Sequence, residues 1–182
     1  MRFLSDDERE TLLIACKQSE APYLYSLVVL ALSTGARRGE LLGLTWGDID
    51  LKRKVAILHK TKNEERRALP LAGHALDCVE KLSEIRRIDT NLLFPDETGK
   101  KPIEIRPAWE RVLKEAEIED FRFHDLRHSA ASYFAMNGAS LAEIAEVLGH
   151  KTLQMVKRYS HLSEQHTAGV VSKMNEKIFG NR

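Results

Sequence analysis

The chain has little cysteine. Its 182 residues contain two, Cys16 and Cys78. Two cysteines are too few for a disulfide framework or a cysteine-based zinc set. Both fall in apolar helical patterns, which places them as reduced core residues in a cytosol-like compartment. Net charge of one sign is also missing: 28 basic residues face 27 acidic ones, for a formal charge of +1. A global polycationic surface is therefore excluded, although a local basic face is not. No apolar run is long enough to cross a bilayer. The longest, Tyr23 to Leu32, ends at Gly35-Ala36-Arg37-Arg38. The first residues carry no basic-then-apolar leader pattern. No internal repeat or low-complexity stretch occurs, and no linker divides the sequence, so one domain over 1–182 is expected.

Several chemistries are missing as well. There is no GxxxxGK[ST] or GxGxxG phosphate loop, and no GxSxG elbow. Asp48 and Asp50 form the one carboxylate pair that suggests a metal. With no third ligand near, they read better as a polar entry into a strand.

What is present is mostly helix. Ser5 with Glu8 forms a capping box before a helix through Leu12 and Cys16. A nearly all-apolar helix follows Pro22 and stops at Thr34-Gly35, where glycine suits the left-handed cap. A short helix carries Arg37, Glu40 and Leu44. The period then changes: "DIDLKRKVAIL" and "RRALPL" alternate around a turn at Lys62 to Glu65, so a small antiparallel sheet is expected. Helices return at about 72–87, 105–117 and 124–137, and a second capping box, Ser140 with Glu143, opens another that ends at Gly149. A further helix is expected to carry Tyr159, followed by a weakly helical tail from 163. The longest irregular connection is Ile88 to Pro102.

A set of cations stands out. "TGARRGE" puts Arg37 and Arg38 at a helix start, where they oppose the dipole. "FHDLRHS" puts His124 and Arg127 on one helix face, with His128 as an alternative. "LHKTKNEERRALPL" offers Lys60 and Lys62 near a hairpin tip. "GHKTLQMVKRYSHL" sets His150 nine residues before Tyr159, among Lys157 and Arg158. Each has a plainer explanation alone: solvated helix ends, edge lysines, a buried aromatic. "SLAEIAEVLGHKTLQMVKRY" also has helix-turn-helix spacing. Together they supply what metal-free phosphoryl transfer needs. Guanidinium forks hold the charge gathering on phosphate oxygens. A proton donor serves the leaving alkoxide. Cations around a phenol of ordinary pKa about 10 make it a usable nucleophile.

The order Arg…Lys…His-x-x-Arg…His…Tyr resembles the tyrosine recombinases, the phage-type integrases and chromosome-dimer resolvases. The resemblance is carried by "TGARRGELLGLTW", "KTKNEERRALPL", "HDLRHSAAS", "LGH" and "KRYSHL". It implies an α+β, mainly helical catalytic domain with a small three-stranded antiparallel sheet. It also implies a division of labour. Arg37 and Arg127 clamp the scissile phosphate, and His150 adds a donor. His124 assists proton transfer, Lys62 protonates the leaving 5′-oxygen, and Tyr159 attacks. Glu40 supports by orienting Arg37. Lys60, two residues from Lys62 on the same strand face, competes for the lysine role. No cofactor and no metal ion are implied. The implied partners are double-stranded DNA and further copies, as a tetramer on recombination sites. No membrane is involved, and the place of action is the prokaryotic cytoplasm. The N-terminal core-binding domain of such enzymes is expected to be absent, which leaves an isolated catalytic domain. Its tail, 163–182, is expected to dock either on its own domain or in trans. The alternatives are a non-catalytic helix-turn-helix module, a type IB topoisomerase-like nicking-closing enzyme and a helical interaction domain.

Overall fold

The computed structural model of the chain describes residues 2–59 and 66–180. They gather into two compact units, one up to Ser129 and one from Ala130 onward.

The first unit is built around a helix with no polar side. Helix α2, Leu24–Thr34, buries Leu24, Leu27, Val28, Val29, Leu30 and Ala31. A helix apolar all round has to be surrounded, and α1 (Asp6–Gln18) and α4 (His74–Glu84) pack against it. Each large aliphatic side chain buried this way contributes about 1.5–3 kcal/mol. Helix α1 starts at the expected capping box: the Ser5 side chain accepts from the Glu8 amide at 3.2 Å, and Glu8 accepts from the Ser5 amide at 2.9 Å. Helix α5, Arg106–Glu115, closes the other side of α1. Burial pushes the Cys16 thiol up to about 12, with Glu115 adding to it, and raises that of Cys78. Both are inert core residues.

The expected sheet is present and three-stranded. Strands β1 (Ile49–Asp50), β2 (Val55–Leu58) and β3 (Arg67–Pro70) pair antiparallel in sequence order. Leu58 stands opposite Arg67 and Val55 opposite Pro70. Pro70, which lacks an amide donor, is tolerated because β3 is an edge. The 88–102 connection is irregular but pinned: Leu93 donates to the Leu44 carbonyl at 2.8 Å, and Phe94 is fully buried.

Helix α3 (Arg38–Leu42) follows α2, and α6 (Asp125–Met136) runs through the boundary of the two units. In the second unit, α7 (Leu141–Leu148) begins at the Ser140–Glu143 capping box and ends at Gly149 in the left-handed conformation. One expectation is corrected here. No α-helix carries Tyr159. The segment is 3₁₀, as Leu153–Met155 and Lys157–Ser163. Its buried side chains, Val156 and Tyr159, together with the part-buried Leu162, recur every third residue. At three residues per turn that spacing stacks the three side chains in one row. The tail is helical, α8, Glu164–Phe179. No described helix is long and apolar enough to cross a membrane.

Candidate active site

The first unit assembles its cations around the end of α2. Gly35 leaves the helix at φ 62°, a left-handed conformation that a β-branched residue would resist. The Thr34 hydroxyl donates back to the Leu30 carbonyl at 2.6 Å and accepts from the Ala36 amide at 3.2 Å. This fixes the turn that delivers Arg37. Arg37 stays extended, one residue before α3.

Glu40, in the first turn of α3, binds Arg37 twice. Its Oε2 accepts from the Arg37 amide at 2.9 Å, and its Oε1 accepts from Arg37 Nη1 at 2.7 Å. A second arginine, Arg67 of β3, donates from Nη2 to Oε2 at 2.8 Å. Burial alone would raise the Glu40 carboxyl. The Arg37 hydrogen bonds and the Arg67 charge outweigh it and hold the group below its ordinary value. Arg67 was not singled out from sequence, although "RRALPL" carried the signal. Alternation puts Arg67 on the same face as Leu69, which is buried.

Arg127 comes to the same turn from the far end of the unit. Its Nη1 donates to the Gly35 carbonyl at 2.6 Å, and the residue is 5% exposed. A helix C-terminus carries partial negative charge, so it suits a buried guanidinium. The start of α6 is held by Asp125, which accepts from the Arg122 amide at 2.8 Å and from its guanidinium at 3.3 Å. Ser129 accepts from the Leu4 amide at 3.1 Å, tying α6 to the beginning of the chain. His124 precedes α6. Burial, then the charge of Arg127, holds its imidazole below the ordinary value, with Arg122 and Arg37 adding to this. The ring is therefore neutral near pH 7 and able to accept a proton. His128 packs edge-on to it, 5.6 Å between centroids.

The second unit holds His150 and Tyr159. His150 follows the left-handed Gly149, and its amide donates to the Ala145 carbonyl at 2.8 Å. Tyr159 is 3% exposed and packs in a cluster with Ala131, Ala135, Ile144, Leu148 and Val156. It is thus a buried aromatic in this state, as one sequence explanation had it. Its neighbours Lys157 and Arg158 are exposed. Lys60 and Lys62 lie outside the described residues.

The remaining carboxylate pair has structural work. Asp48 accepts from the Thr45 amide and hydroxyl, both at 2.7 Å, and faces His59 at 3.2 Å. Asp50 accepts from the Arg53 amide at 2.9 Å in the β1–β2 turn. Among the described residues, no group of three metal-ligating side chains occurs.

A helical domain with this small sheet and an arginine cluster at the end of its central helix has the fold of tyrosine recombinase catalytic domains. The catalytic domain of bacteriophage HP1 integrase superimposes with a TM-score of 0.74 at 28% identity, covering 100% of this chain and 99% of that one. XerA recombinase shares the fold, with a TM-score of 0.78 at 24% identity over 96% of this chain and 64% of that one. In sequence, the integrase of Salmonella phage P22 is 32% identical over 192 residues, which is 99% of this chain and 48% of that protein. The shufflon-specific DNA recombinase of Escherichia coli is 38% identical over 140 residues, 76% of this chain and 35% of that protein. The sequence profile of the phage integrase family matches residues 2–166, and the chain belongs to that family. It spans about half the length of the curated relatives it matches, such as 48% of the P22 protein and 47% of the phage HP1 integrase.

Proposed function

We propose that the chain is the catalytic core of a site-specific DNA recombinase or integrase, working on double-stranded DNA without metal or cofactor. In this reading Arg37 and Arg127 hold the scissile phosphate and His150 adds a donor. His124 accepts the phenol proton. The Tyr159 oxygen attacks phosphorus, the bond to the 5′-oxygen breaks, and Lys62 protonates that oxygen. A 3′-phosphotyrosyl link and a free 5′-hydroxyl result. Reversal with a different 5′-hydroxyl rejoins the strand.

The observation that carries the reading is the pair of guanidiniums referred to one turn, Arg127 on the Gly35 carbonyl and Arg37 two residues beyond it. Such donors, fixed before reaction, are what stabilises charge developing on a phosphoryl group. The helix-turn-helix alternative loses support because the segment after α7 is 3₁₀ rather than a second α-helix. A nicking-closing enzyme of topoisomerase IB type would use the same groups on one DNA site. The relatives named as integrases and recombinases favour recombination. The reading further takes the chain to act in the cytoplasm as a tetramer on paired sites, with α8 docking on a neighbouring copy.

The test is incubation with a nicked suicide duplex in excess EDTA, read on a denaturing gel. A protein–DNA adduct that vanishes in Tyr159→Phe is expected. An adduct surviving that change, or cleavage that needs added Mg²⁺, refutes the proposal.

A further inference from the structure

Glu40 carries a second guanidinium to which the proposed chemistry gives no task. Arg67 opens β3, opposite Leu58 and on the core-facing row with Leu69. Its side chain is 10% exposed. One donor, Nη2, reaches Glu40. Its Nε and Nη1 are buried, with no hydrogen-bond partner among the described residues. Burying a cation with unmatched donors is costly. Leucine or valine there would cover the core as Leu69 does. Burial lowers Arg67, with Glu40 opposing it, yet a guanidinium stays charged at any pH where proteins fold. The charge itself therefore calls for a reason.

Counting charge supplies one. Arg37 bonded to Glu40 at 2.7 Å is a neutral pair. Its field on a phosphate outside the pair is largely cancelled. With Arg67 added, the three side chains carry one net positive charge. The two oxygens are also divided: Oε1 goes to the Arg37 guanidinium, while Oε2 goes to Arg67 and the Arg37 amide. We propose that Arg67 is a positioning residue for the phosphate clamp: it fixes the Glu40 carboxylate that orients Arg37 and offsets its charge, so that Arg37 meets a DNA phosphate as a net cation. This rests on the recombinase reading above. It adds a residue whose action passes through Glu40, without contact to DNA.

The charge account makes a prediction that simple damage to the fold does not. The rate of adduct formation by the whole chain is measured on a saturating nicked suicide duplex, with DNA affinity by gel shift and folding by circular dichroism. Arg67→Gln should slow the adduct by about 10–100-fold, the range for losing a residue that supports a first-contact ligand, with a much smaller change in affinity. Arg67→Lys keeps the charge and should keep most of the rate. The double variant Glu40→Gln/Arg67→Gln leaves Arg37 as the cluster's one net charge. It should be at least about tenfold faster than Arg67→Gln, a coupling between touching residues opposite in sign to added damage. An Arg67→Gln variant as fast as the unaltered chain, or a double variant slower than Arg67→Gln, overturns the inference. Should Arg67→Gln not fold, the double variant is compared with Arg67→Lys, and a rate more than about 100-fold below it is the overturning result. No adduct from the unaltered chain would overturn the recombinase reading and this inference together. An active chain indifferent to Arg67 overturns the inference alone.

Discussion

Arg127 Nη1 lies 2.6 Å from the carbonyl oxygen of Gly35, a residue 92 positions earlier in the chain. The bond spends one donor of a five-donor fork and leaves the fork's plane fixed. Gly35 also sets where Arg37 begins. The Arg127 guanidinium is therefore held at the carbonyl two residues before Arg37, whose own guanidinium is held by Glu40. Preorganisation of this kind is what a phosphoryl-transfer site requires.

Lysine cannot reproduce that geometry. An ammonium bonded to the Gly35 carbonyl is a point charge with no second, rigidly placed arm. Arg127→Lys should therefore lower adduct formation on the suicide duplex by about 10²–10³, the range for losing a fixed donor to developing charge. Far-ultraviolet circular dichroism should be unchanged. A rate near that of the unaltered chain would remove the Gly35 bond from the account of catalysis.

The proposed attack requires Tyr159 to leave its apolar cluster. At 3% exposure its ring is covered by side chains of its own unit. The Lys157–Ser163 segment is 3₁₀, whose hydrogen bonds have poorer geometry than those of an α-helix, and this lowers the cost of a shift. Without DNA, Tyr159 should be nitrated by tetranitromethane more slowly than the part-buried Tyr23, read by peptide mass. Added duplex that the chain cleaves should raise its reactivity. Fast nitration of Tyr159 in the free protein would contradict the buried state.

Glu40 makes stability depend on acid. Its folded-state pKa is lowered from an ordinary 4.5. A carboxyl with a lowered folded value stabilises the fold above its unfolded value, and that contribution is lost as pH falls through the folded one. Below about pH 4.5 the melting temperature should thus fall, and Glu40→Gln should flatten that fall while lowering stability near neutrality by about 3 kcal/mol, as breaking a buried ion pair does. An acid slope identical in the two proteins would show that Glu40 is not held ionised by Arg37 and Arg67.

Lys62 is the proposed general acid, and its test is chemical. Lys62→Ala should slow cleavage by roughly 10²–10⁴, the range for a positioned acid. A 5′-bridging sulfur leaves without a proton, so that substrate should largely restore the variant. Restoration of Lys60→Ala in place of Lys62→Ala would exchange the two lysines.

Much of this site was readable because its elements announce themselves locally. The two capping boxes and the left-handed Gly35 and Gly149 are set by neighbours in sequence. Arg37, His124, Arg127, His150 and Tyr159 stand out in sequence for the same reason, each in a short motif of its own. Arg67 was overlooked because a charge on a strand reads as edge protection until its partner is known, and Glu40 is 27 residues away. The Tyr159 segment was read as α-helix because Lys, Gln and Met favour helix. Val156, Tyr159 and Leu162 at steps of three fit the tighter turn too, but the same step also occurs on an α-helical face, so the pattern does not separate the two.

The tail tests whether assembly reaches the nucleophile. Helix α8 begins directly after the Tyr159 segment. Its first turns touch the second unit: a Cβ on Gly138, at φ 86°, would lie 2.4 Å from the His166 ring. Beyond that point Val170, Val171, Met174 and Ile178 are all exposed along one face. In the proposed reading, this exposed apolar row on the helix after Tyr159 docks on a neighbouring copy. Gly138→Ala, by contrast, strains both backbone and His166, and should cost about 1–3 kcal/mol. The described residues from His166 to Gly180 are all exposed, so deleting the chain after Ser163 should remove little buried surface. It should lower the melting temperature by less than about 4 °C, the shift for 1 kcal/mol in a domain of this size. The same deletion should weaken DNA-dependent multimers, read by light scattering on the recombination duplex, and should reduce adduct formation with them. A collapse of the melting temperature would place α8 in the core of its own unit. Intact multimers with a shortened chain would mean that assembly uses another surface.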